Sequence, residues 1–252
     1  MTQDRIYAAE KEIVTPFEFN EEVVAVFPDM IDRSVPGYRL LLPLIGQIAS
    51  RYAQPHSRCY DLGCSLGAVT LALRQQIEQP GCCITAVDNA PAMITQCRHN
   101  VARAGDGIPV EIVEADICQI PIRNASVVVL NFTFQFVPPP LRDGLIQHVY
   151  DGLLPGGALI LSEKVVFEPP ELNQRLVQLH HEFKRANGYT DLEISQKRTA
   201  LEDVLVSETV MQHQERLHQA GFATVDLWFQ AFNFVSLLAV KKPDRFPKIS
   251  LK

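Results

Sequence analysis

The residues best placed to do chemistry follow a short apolar segment near residue 60. That segment leads into Tyr60-Asp61-Leu62-Gly63-Cys64-Ser65-Leu66-Gly67, and helical periodicity begins at Gly67. Glycine between a strand and a helix lets the backbone turn tightly and approach a ligand closely. The turn alone does not establish a ligand site, because Ser65 occupies the middle of the Gly-x-Gly-x-Gly run and glycine in such turns is often only structural.

Three later apolar segments also end in polar residues. Asp88 and Asn89 follow the second segment, Asp116 and Ile117 the third, and Asn131 the fourth. A carboxylate after the second strand of a nucleoside-binding sheet accepts two hydrogen bonds from a ribose diol. Asp116 can accept from an adenine amino group while the backbone N–H of Ile117 donates to a ring nitrogen. Four successive strand ends of this kind predict a nucleoside site made of Gly63, Cys64, Ser65, Asp88, Asn89, Asp116, Ile117 and Asn131.

The turn near residue 63 also permits other interpretations. Gly63-Cys64-Ser65-Leu66-Gly67 matches Gly-x-Ser-x-Gly, the nucleophile elbow of α/β-hydrolases. That fold needs several strands before the elbow, and little β pattern precedes Arg58. It also needs a later acid and histidine at strand ends, whereas His213 and His218 lie within a helical pattern. A nucleotide-sensing scaffold without catalysis is a third interpretation, which a fold pattern alone does not exclude.

Cysteine and histidine spacing predicts no metal site. The six cysteines contain no Cys-x-x-Cys pair, and neither His180-His181 nor His213 and His218 have the spacing that directs two rings at one ion. We expect reduced thiols that behave as small buried hydrophobic residues.

Composition favours an enzyme of small molecules. Of the 252 residues, 47% are hydrophobic and 21% are charged, which suits one α/β domain with additions. The formal net charge of −6 lowers the expectation of direct nucleic-acid binding, because phosphate neutralisation supplies most of that affinity. No apolar run approaches the length of a membrane span or follows the first residues like a secretory signal. We therefore expect a cytoplasmic protein.

The elements that must position these residues alternate between strand and helix. Strands are predicted over 58–62, 84–87, 110–114, 126–130, 158–161, 225–229 and 234–240, with helices over 67–77, 91–104 and 141–153. Apolar strands separated by helices predict an α/β fold with a Rossmann-like, doubly wound, mostly parallel seven-stranded sheet. The last two strands are expected to form a hairpin-like pair.

Additions surround the predicted cofactor-binding core, which spans 56–164 of a single domain. The N-terminal extension, 1–55, is expected to hold a helix near 20–27, a break at Pro28 and a second helix after Gly37. A helical insertion over 165–221 precedes the terminal strand pair, 222–241, and a basic tail, 242–252, which is expected to fray. The insertion carries more apolar surface than a solvated lid needs (Leu172, Leu176, Leu179, Phe183), which predicts a homodimer.

Several blocks of the chain, from about Asp4 to Lys241, resemble the bacterial carboxy-S-adenosyl-L-methionine synthases, members of the S-adenosylmethionine-dependent methyltransferase superfamily. The blocks are Phe27-Pro28-Asp29-Met30-Ile31, Arg33-Ser34-Val35-Pro36-Gly37-Tyr38, the turn from Tyr60 to Gly67, Val129-Leu130-Asn131-Phe132-Thr133, Leu161-Ser162-Glu163-Lys164, Phe183-Lys184-Arg185-Ala186-Asn187-Gly188-Tyr189 and Glu193-Ile194-Ser195-Gln196-Lys197-Arg198. Ser65 departs from methyltransferases generally but is typical of this family. The segment from Phe134 to Arg142, with Pro138-Pro139-Pro140, departs most, and we expect a surface loop there.

The resemblance implies an enzyme that does not methylate. In this family S-adenosyl-L-methionine reacts with prephenate, and the carbon dioxide that prephenate loses is captured on the cofactor's methyl group. The products are carboxy-S-adenosyl-L-methionine and phenylpyruvate. The first is handed to a tRNA carboxymethyltransferase, which modifies a wobble uridine in the 5-oxyacetyl uridine pathway, so no direct contact with RNA is implied.

The resemblance implies roles for two catalytic residues. Arg198 is assigned to the developing carboxylate, because a guanidinium offers a planar fork for bidentate binding. Tyr38 is assigned to the pocket, where its hydroxyl can reach the polar end of the cofactor. Lys184, Arg185 and Lys197 could attract the prephenate dianion, but we expect them to be solvated or interfacial.

An ordinary S-adenosylmethionine-dependent methyltransferase is the alternative. Amino-directed nucleic-acid methylases place Asn/Asp-Pro-Pro-aromatic after the fourth strand, and Asn131-Phe132-Thr133-Phe134 lacks those prolines. Methylation of a small molecule stays open from the residues alone.

Overall fold

Seven strands form one mixed sheet in the computed structural model, which describes residues 2–244. They are β1 (Arg58–Leu62), β2 (Cys83–Asp88), β3 (Val110–Glu114), β4 (Ala125–Asn131), β5 (Leu153–Lys164), β6 (Thr224–Ala231) and β7 (Phe234–Val240). The strand order is β3-β2-β1-β4-β5-β7-β6, and β7 runs antiparallel to both β5 and β6. The other neighbouring strands pair in parallel. The predicted seven-stranded sheet with a terminal antiparallel pair is confirmed.

Helices cover both faces of this sheet. They are α1 (Glu21–Ser34), α2 (Tyr38–Tyr52), α3 (Ala68–Gln76), α4 (Pro91–Arg103), α5 (Pro139–Gly152), α6 (Pro170–Ala186), α7 (Asp191–Leu201) and α8 (Val210–Ala220). Alternate residues of β4 point to opposite layers. Val127 and Val129 pack with α2 and α3, whereas Val128 and Leu130 pack with α5 and α8. The helical insertion before the last two strands is therefore confirmed as α6 to α8.

Helix α1 continues through Pro28, so the predicted break there was wrong. The Asn20 side chain caps the helix by accepting from the backbone N–H of Val23 at 3.1 Å. Val26 and Met30, on either side of the proline, are buried in the cluster that joins this extension to α4. Proline removes one backbone donor from the helix, and this buried apolar face offsets that loss.

The segment from Phe134 to Arg142 is only partly the predicted surface loop: residues 138–141 are exposed, but the two ends of the segment are buried. Phe134 and Arg142 are both 0% exposed. The Arg142 guanidinium donates to the carbonyl oxygens of Gln135 at 3.1 Å and Val206 at 2.8 Å, and it forms an ion pair with Glu208 at 2.9 Å. Arginine is rarely buried without such partners, so its type gave no sign of this position.

The N-terminal extension and the insertion meet above the sheet. The Gln196 side chain on α7 donates to the carbonyl oxygens of Tyr7 at 3.0 Å and Ala9 at 2.8 Å. The backbone N–H of Phe17 donates to the carbonyl of Ala200 at 2.9 Å. Residues 245–252 of the predicted tail lie outside the described residues. No helix within 2–244 is long and apolar enough to cross a bilayer.

Candidate active site

A cavity of about 690 Å³ lies at the carboxyl ends of the parallel strands. Parallel α/β sheets bind ligands at this edge, next to the point where the strand order reverses, here between β1 and β4. Nine of the ten predicted site residues line the cavity: Tyr38, Gly63, Cys64, Ser65, Asp88, Asn89, Asp116, Ile117 and Asn131.

The turn after β1 forms the floor of the cavity. Gly63 has a φ of +81°, and a Cβ atom built on it would lie 2.2 Å from Oγ1 of Thr133, which follows β4. Ser65 also has positive φ, and its backbone N–H donates to Oδ2 of Asp88 at 2.9 Å. The residue at position 63 must therefore be glycine for the ends of β1 and β4 to come this close.

Asp88 holds a fixed position at the end of β2. Its second oxygen accepts from the backbone N–H of Ala90 at 2.9 Å. Burial raises the pKa of Asp88, and the backbone hydrogen bonds from Ala90, Ser65 and Asn89 oppose that rise. The carboxylate keeps lone pairs beyond those used by these backbone donors, so it can also accept from a diol.

The ends of β3 and β4 complete this half of the cavity. Asp116 accepts from the backbone N–H of Cys118 at 2.8 Å in a local turn that brings Ile117 to the cavity wall. At the end of β4, Oδ1 of Asn131 is buried and has no hydrogen-bond partner among residues 2–244. Phe132 has a φ of +59°, which is an outlier for a bulky residue. We call this half, with Asp88 and Asp116, the acidic end.

Tyr38 begins α2 and faces the cavity opposite Phe132, with the two ring centroids 6.4 Å apart. Burial raises the pKa of its phenol, and the nearby charges of Asp61 and Asp32 raise it further. The hydroxyl therefore stays protonated as a hydrogen-bond donor. Asp61 lies below the turn, 1% exposed, and accepts from the Thr70 hydroxyl at 2.6 Å.

Three lysines line the opposite half of the cavity, which we call the lysine end. They are Lys164 at the end of β5, Lys184 on α6 and Lys197 on α7. Lys184 is 9% exposed and Lys197 is 7% exposed, so the prediction that these two are solvated or interfacial was wrong. Arg185, in contrast, is exposed and paired with Asp191 at 2.8 Å.

The lysine end carries positive charge with little compensation. Burial lowers the pKa of Lys184 to about 7, and the charges of Lys197 and Lys164 add to this effect. Burial also lowers the pKa of Lys197 to about 8, although Asp4 opposes the shift. The cavity thus separates carboxylates at one end from ammonium groups at the other.

Helical periodicity relates Lys184 to His180, but it indicates an inward-facing Lys184 only once His180 is known to be buried. His180 lies one turn before it on α6 and is also buried, with its ring nitrogen 2.8 Å from the carbonyl oxygen of Ser34. Residues four apart share a helix face, so a buried His180 indicates that Lys184 faces inward too. Which face of α6 lies over the sheet depends on tertiary packing.

Arg198 is not brought together with the other predicted residues. Its neighbour Lys197 is buried on the inner side of α7, whereas Arg198 is exposed and lies outside the cavity lining.

Ser65 does not sit in a nucleophile elbow. Its hydroxyl donates to the sulfur of Met93 at 3.4 Å, and its strand is the first strand along the chain. An α/β-hydrolase requires strands before the elbow and a histidine beside the serine.

Candidate metal ligands do not cluster within the part of the chain that the structure describes. Residues 2–244 contain no cluster of three histidine, cysteine, aspartate or glutamate side chains able to hold an ion. The six cysteines are free, and Cys59, Cys64, Cys82 and Cys97 are buried, as predicted, while Cys83 and Cys118 are partly exposed.

The sheet order and the site at its edge define a class of protein. Residues 60–157 match the family described as "Methyltransferase domain". A putative S-adenosyl-L-methionine-dependent methyltransferase from Methanococcus maripaludis has a similar structure, with a TM-score of 0.58, 21% identity and coverage of 94% of this chain and 98% of that one. An O-methyltransferase family protein from Burkholderia thailandensis gives a TM-score of 0.62 at 15% identity, covering 93% of this chain and 66% of that one. The chain has the class I methyltransferase fold.

Closer relatives identify the family. Carboxy-S-adenosyl-L-methionine synthase of Trichlorobacter lovleyi is 60% identical over 239 residues, covering 94% of this chain and 98% of that protein. The enzyme of that name from Aeromonas hydrophila subsp. hydrophila is 58% identical over 243 residues, covering 96% and 98%. The one from Yersinia enterocolitica is 53% identical, covering 95% and 90%. The chain belongs to the carboxy-S-adenosyl-L-methionine synthase family.

The contact between Gly63 and Thr133 can be tested by a pair of glycine substitutions. Gly63→Ala and Gly105→Ala both place a side chain at positive φ, which costs about 1 kcal/mol. Only the first also meets another residue, since nothing lies within 4 Å of the Gly105 position. We expect Gly63→Ala to lower the free energy of unfolding by about 2 kcal/mol more than Gly105→Ala, measured in urea.

Adding Thr133→Ala to Gly63→Ala should recover part of that loss, because it removes the two atoms nearest to the new methyl group. Equal losses in the two glycine variants would show that the close contact does not constrain position 63.

Proposed function

We propose that the protein converts S-adenosyl-L-methionine and prephenate into carboxy-S-adenosyl-L-methionine, phenylpyruvate and water. The observation that carries this proposal is the two-ended cavity: an acidic end suited to a nucleoside adjoins a lysine end suited to an anionic co-substrate. Relatives 53–60% identical over nearly the whole chain bear the name of an enzyme that makes this product. Transfer of a methyl group to a neutral molecule would not require the lysine end.

The acidic end is the proposed position of the cofactor's nucleoside. Asp88 would accept from the ribose hydroxyls, and Asp116 with the backbone of Ile117 would hold the adenine. The turn of Gly63, Cys64 and Ser65, together with Asn89, would surround the rest of the cofactor. Asn131 presents a buried oxygen that no other described residue contacts by a hydrogen bond, and a polar ligand group would satisfy it.

The chemistry needs a dry site between the two ends. A methyl group beside a sulfonium is slightly acidic, and once deprotonated its carbon can bond to the carbon dioxide that prephenate releases. The methyl proton and the hydroxide that leaves prephenate together form water, so no oxidant or reductant is needed. Phe132, Phe234 and the Tyr38 ring line this region, and aromatic walls exclude the water that would compete.

Direct assay of the product tests this function. Purified protein is incubated with S-adenosyl-L-methionine and prephenate, and we expect the mass of carboxy-S-adenosyl-L-methionine together with phenylpyruvate. Omission of prephenate is the control and should give no carboxylated product. Formation of S-adenosylhomocysteine on addition of a small-molecule acceptor, without carboxylated cofactor, would instead support the ordinary methyltransferase.

The ribose assignment gives a prediction for Asp88. Asp88→Ala should weaken S-adenosyl-L-methionine binding by a few kcal/mol, about 2 to 3, through loss of charge-assisted hydrogen bonds. Calorimetric titration measures this, with the exposed Asp143→Ala as the matched control. Asp88→Asn keeps one acceptor oxygen for the Ser65 turn, so it separates loss of the ribose contact from distortion of the backbone. Unchanged affinity in both Asp88 variants would refute the ribose contact.

The role assigned to Arg198 requires a second chain, because this side chain lies outside the cavity of its own chain. We propose a homodimer in which the exposed side of α7 brings Arg198 to the partner's cavity. Partly exposed apolar residues on α6, including Leu179 at 37%, support the existence of a partner surface. Light scattering at micromolar concentration should give the dimer mass, and a monomer mass would contradict this arrangement.

Arg198 should discriminate between the two forms of the cofactor. A methyl group carries no charge for a guanidinium to bind, whereas the carboxylated product does. Arg198→Ala should leave S-adenosyl-L-methionine affinity nearly unchanged and weaken carboxy-S-adenosyl-L-methionine binding by about 1.5 to 3 kcal/mol. Arg198→Lys should recover part of the loss, because a point charge cannot reproduce the fork.

Paired titrations of the two cofactors measure this difference, and the exposed Arg185→Ala serves as the control. If both affinities fall together, Arg198 acts on the scaffold instead. If neither changes, another group holds the carboxylate, with Tyr38 and Lys197 the first candidates.

We propose a cellular role for the protein from the use of its product. Carboxy-S-adenosyl-L-methionine would pass to a tRNA carboxymethyltransferase that modifies the wobble uridine, and this protein would act in the cytoplasm. The net charge of −6 supports the absence of a direct complex with tRNA.

A further inference from the structure

The lysine end of the cavity is built from three separate elements. Lys164 ends β5, Lys184 lies near the end of α6, and Lys197 lies on α7. All three side chains line the same cavity, and two of them are at most 9% exposed. Three ammonium groups on separate elements form a pocket wall rather than one charged helix face.

These lysines differ in the partners that the protein supplies. The Lys197 ammonium donates to the Ser34 hydroxyl at 3.1 Å and lies 3.8 Å from Oδ2 of Asp4. Within residues 2–244, the side chains of Lys164 and Lys184 make no hydrogen bond or ion pair, and no carboxylate contributes to the pKa of either. A buried Lys184 beside a half-buried Lys164, with no counter-charge among the described residues, is unfavourable, so a bound anion would stabilise this part of the site.

His180 contributes an uncharged aromatic ring to the wall of the lysine end. Burial lowers its pKa to about 2, and its ring packs edge-on against Phe234 with centroids 4.9 Å apart. The wall therefore combines ammonium groups with an apolar, aromatic surface. That combination fits a ligand with both carboxylates and a carbon ring.

We propose that Lys164 and Lys184, with Lys197 beside them, bind the two carboxylates of the co-substrate and select a dicarboxylate over a monocarboxylate. This inference rests on the proposed function, in which prephenate is that dicarboxylate. When prephenate loses one carboxylate as carbon dioxide, phenylpyruvate keeps one. Loss of one carboxylate weakens binding of the product phenylpyruvate to the lysines and favours its release.

Protonation of Lys184 gives this recognition a pH dependence. Its pKa of about 7 in the free site means that the ammonium is largely deprotonated by pH 8.5. A bound dianion favours the charged form and raises that pKa, so binding takes up a proton at pH 8 and affinity falls as the pH rises from 7 to 9. The charges of Lys164 and Lys197 act on Lys184, and the rings of His180 and His181 also lie within range of its charge. Asp4 and Asp29 partly compensate the charge of Lys197, whereas Arg33 opposes it.

Equilibrium binding without turnover tests the inference. The enzyme is saturated with S-adenosylhomocysteine, which lacks the reactive methyl group, and titrated with prephenate or with phenylpyruvate in a calorimeter. Lys164→Met and Lys184→Met should each weaken prephenate binding about tenfold or more, the range for one charge-assisted hydrogen bond. Phenylpyruvate binding should weaken less, and S-adenosylhomocysteine binding should change by less than about twofold.

Lys11→Met is the matched control, because it removes the same charge from an exposed position outside the cavity lining. It should leave prephenate affinity unchanged. Intact binding of S-adenosylhomocysteine shows that each variant is folded. If Lys184→Met does not fold, the half-buried Lys164 provides an independent test with the same expected outcome.

Repeating the wild-type titration at pH 8 in buffers of different ionisation enthalpy measures proton uptake. We expect uptake in the wild type and a smaller value in Lys184→Met, a difference that a purely structural lysine would not produce. Unchanged prephenate affinity in both lysine variants, or equal losses for prephenate and phenylpyruvate, would overturn the inference. So would a wild type that does not bind prephenate.

Turnover by the wild type separates this inference from the proposed function. Lysine-dependent binding of prephenate without carboxylated product would leave the recognition site standing and refute the reaction. Product formation together with unchanged prephenate affinity in the lysine variants would support the reaction and refute the recognition site.

Discussion

The site depends on the way the chain diverges after β1 and β4. These strands are neighbours, yet α3 leaves β1 on one face of the sheet and α5 follows β4 on the other. Their carboxyl ends therefore face an open crevice that no crossover covers. The glycine after β1 lets the two turns meet at van der Waals distance, which closes the floor of that crevice. Asp88 is held to this floor by the hydrogen bond that it accepts from the backbone N–H of Ser65.

The acidic end was accessible to sequence analysis because its positions follow from strand ends. Where a parallel strand stops, its next residue points to the same edge as those of its neighbours, so Asp88, Asp116 and Asn131 could be grouped without coordinates. Short apolar and alternating segments also predicted all seven strands. Pro28 predicts a break because proline usually ends a helix, but the buried apolar face of α1 overrides that tendency.

The lysine end and the buried Arg142 were missed for a different reason. Both depend on which side of a helix or loop faces inward, and charged residues are expected on the outside unless a partner is known. Gln135 lies close to Arg142 in the sequence, but the partners Val206 and Glu208 lie more than 60 residues farther along the chain. Arg198 is the opposite case, because its role was assigned from the family resemblance. In the fold of a single chain its side chain lies on the surface.

The first residues of the chain pack beside the cavity and contribute to its charge. Asp4 is 2% exposed, accepts from the Tyr189 hydroxyl and lies beside Lys197, and its backbone N–H donates to Asp29 at 2.7 Å. The amino end thus sets part of the charge beside Lys197, whose helix α7 lies in the opposite half of the sequence. For protein engineering, a truncation that removes Asp4 changes the charge beside the cavity, whereas Val240 at the end of β7 lies at the opposite edge of the strands.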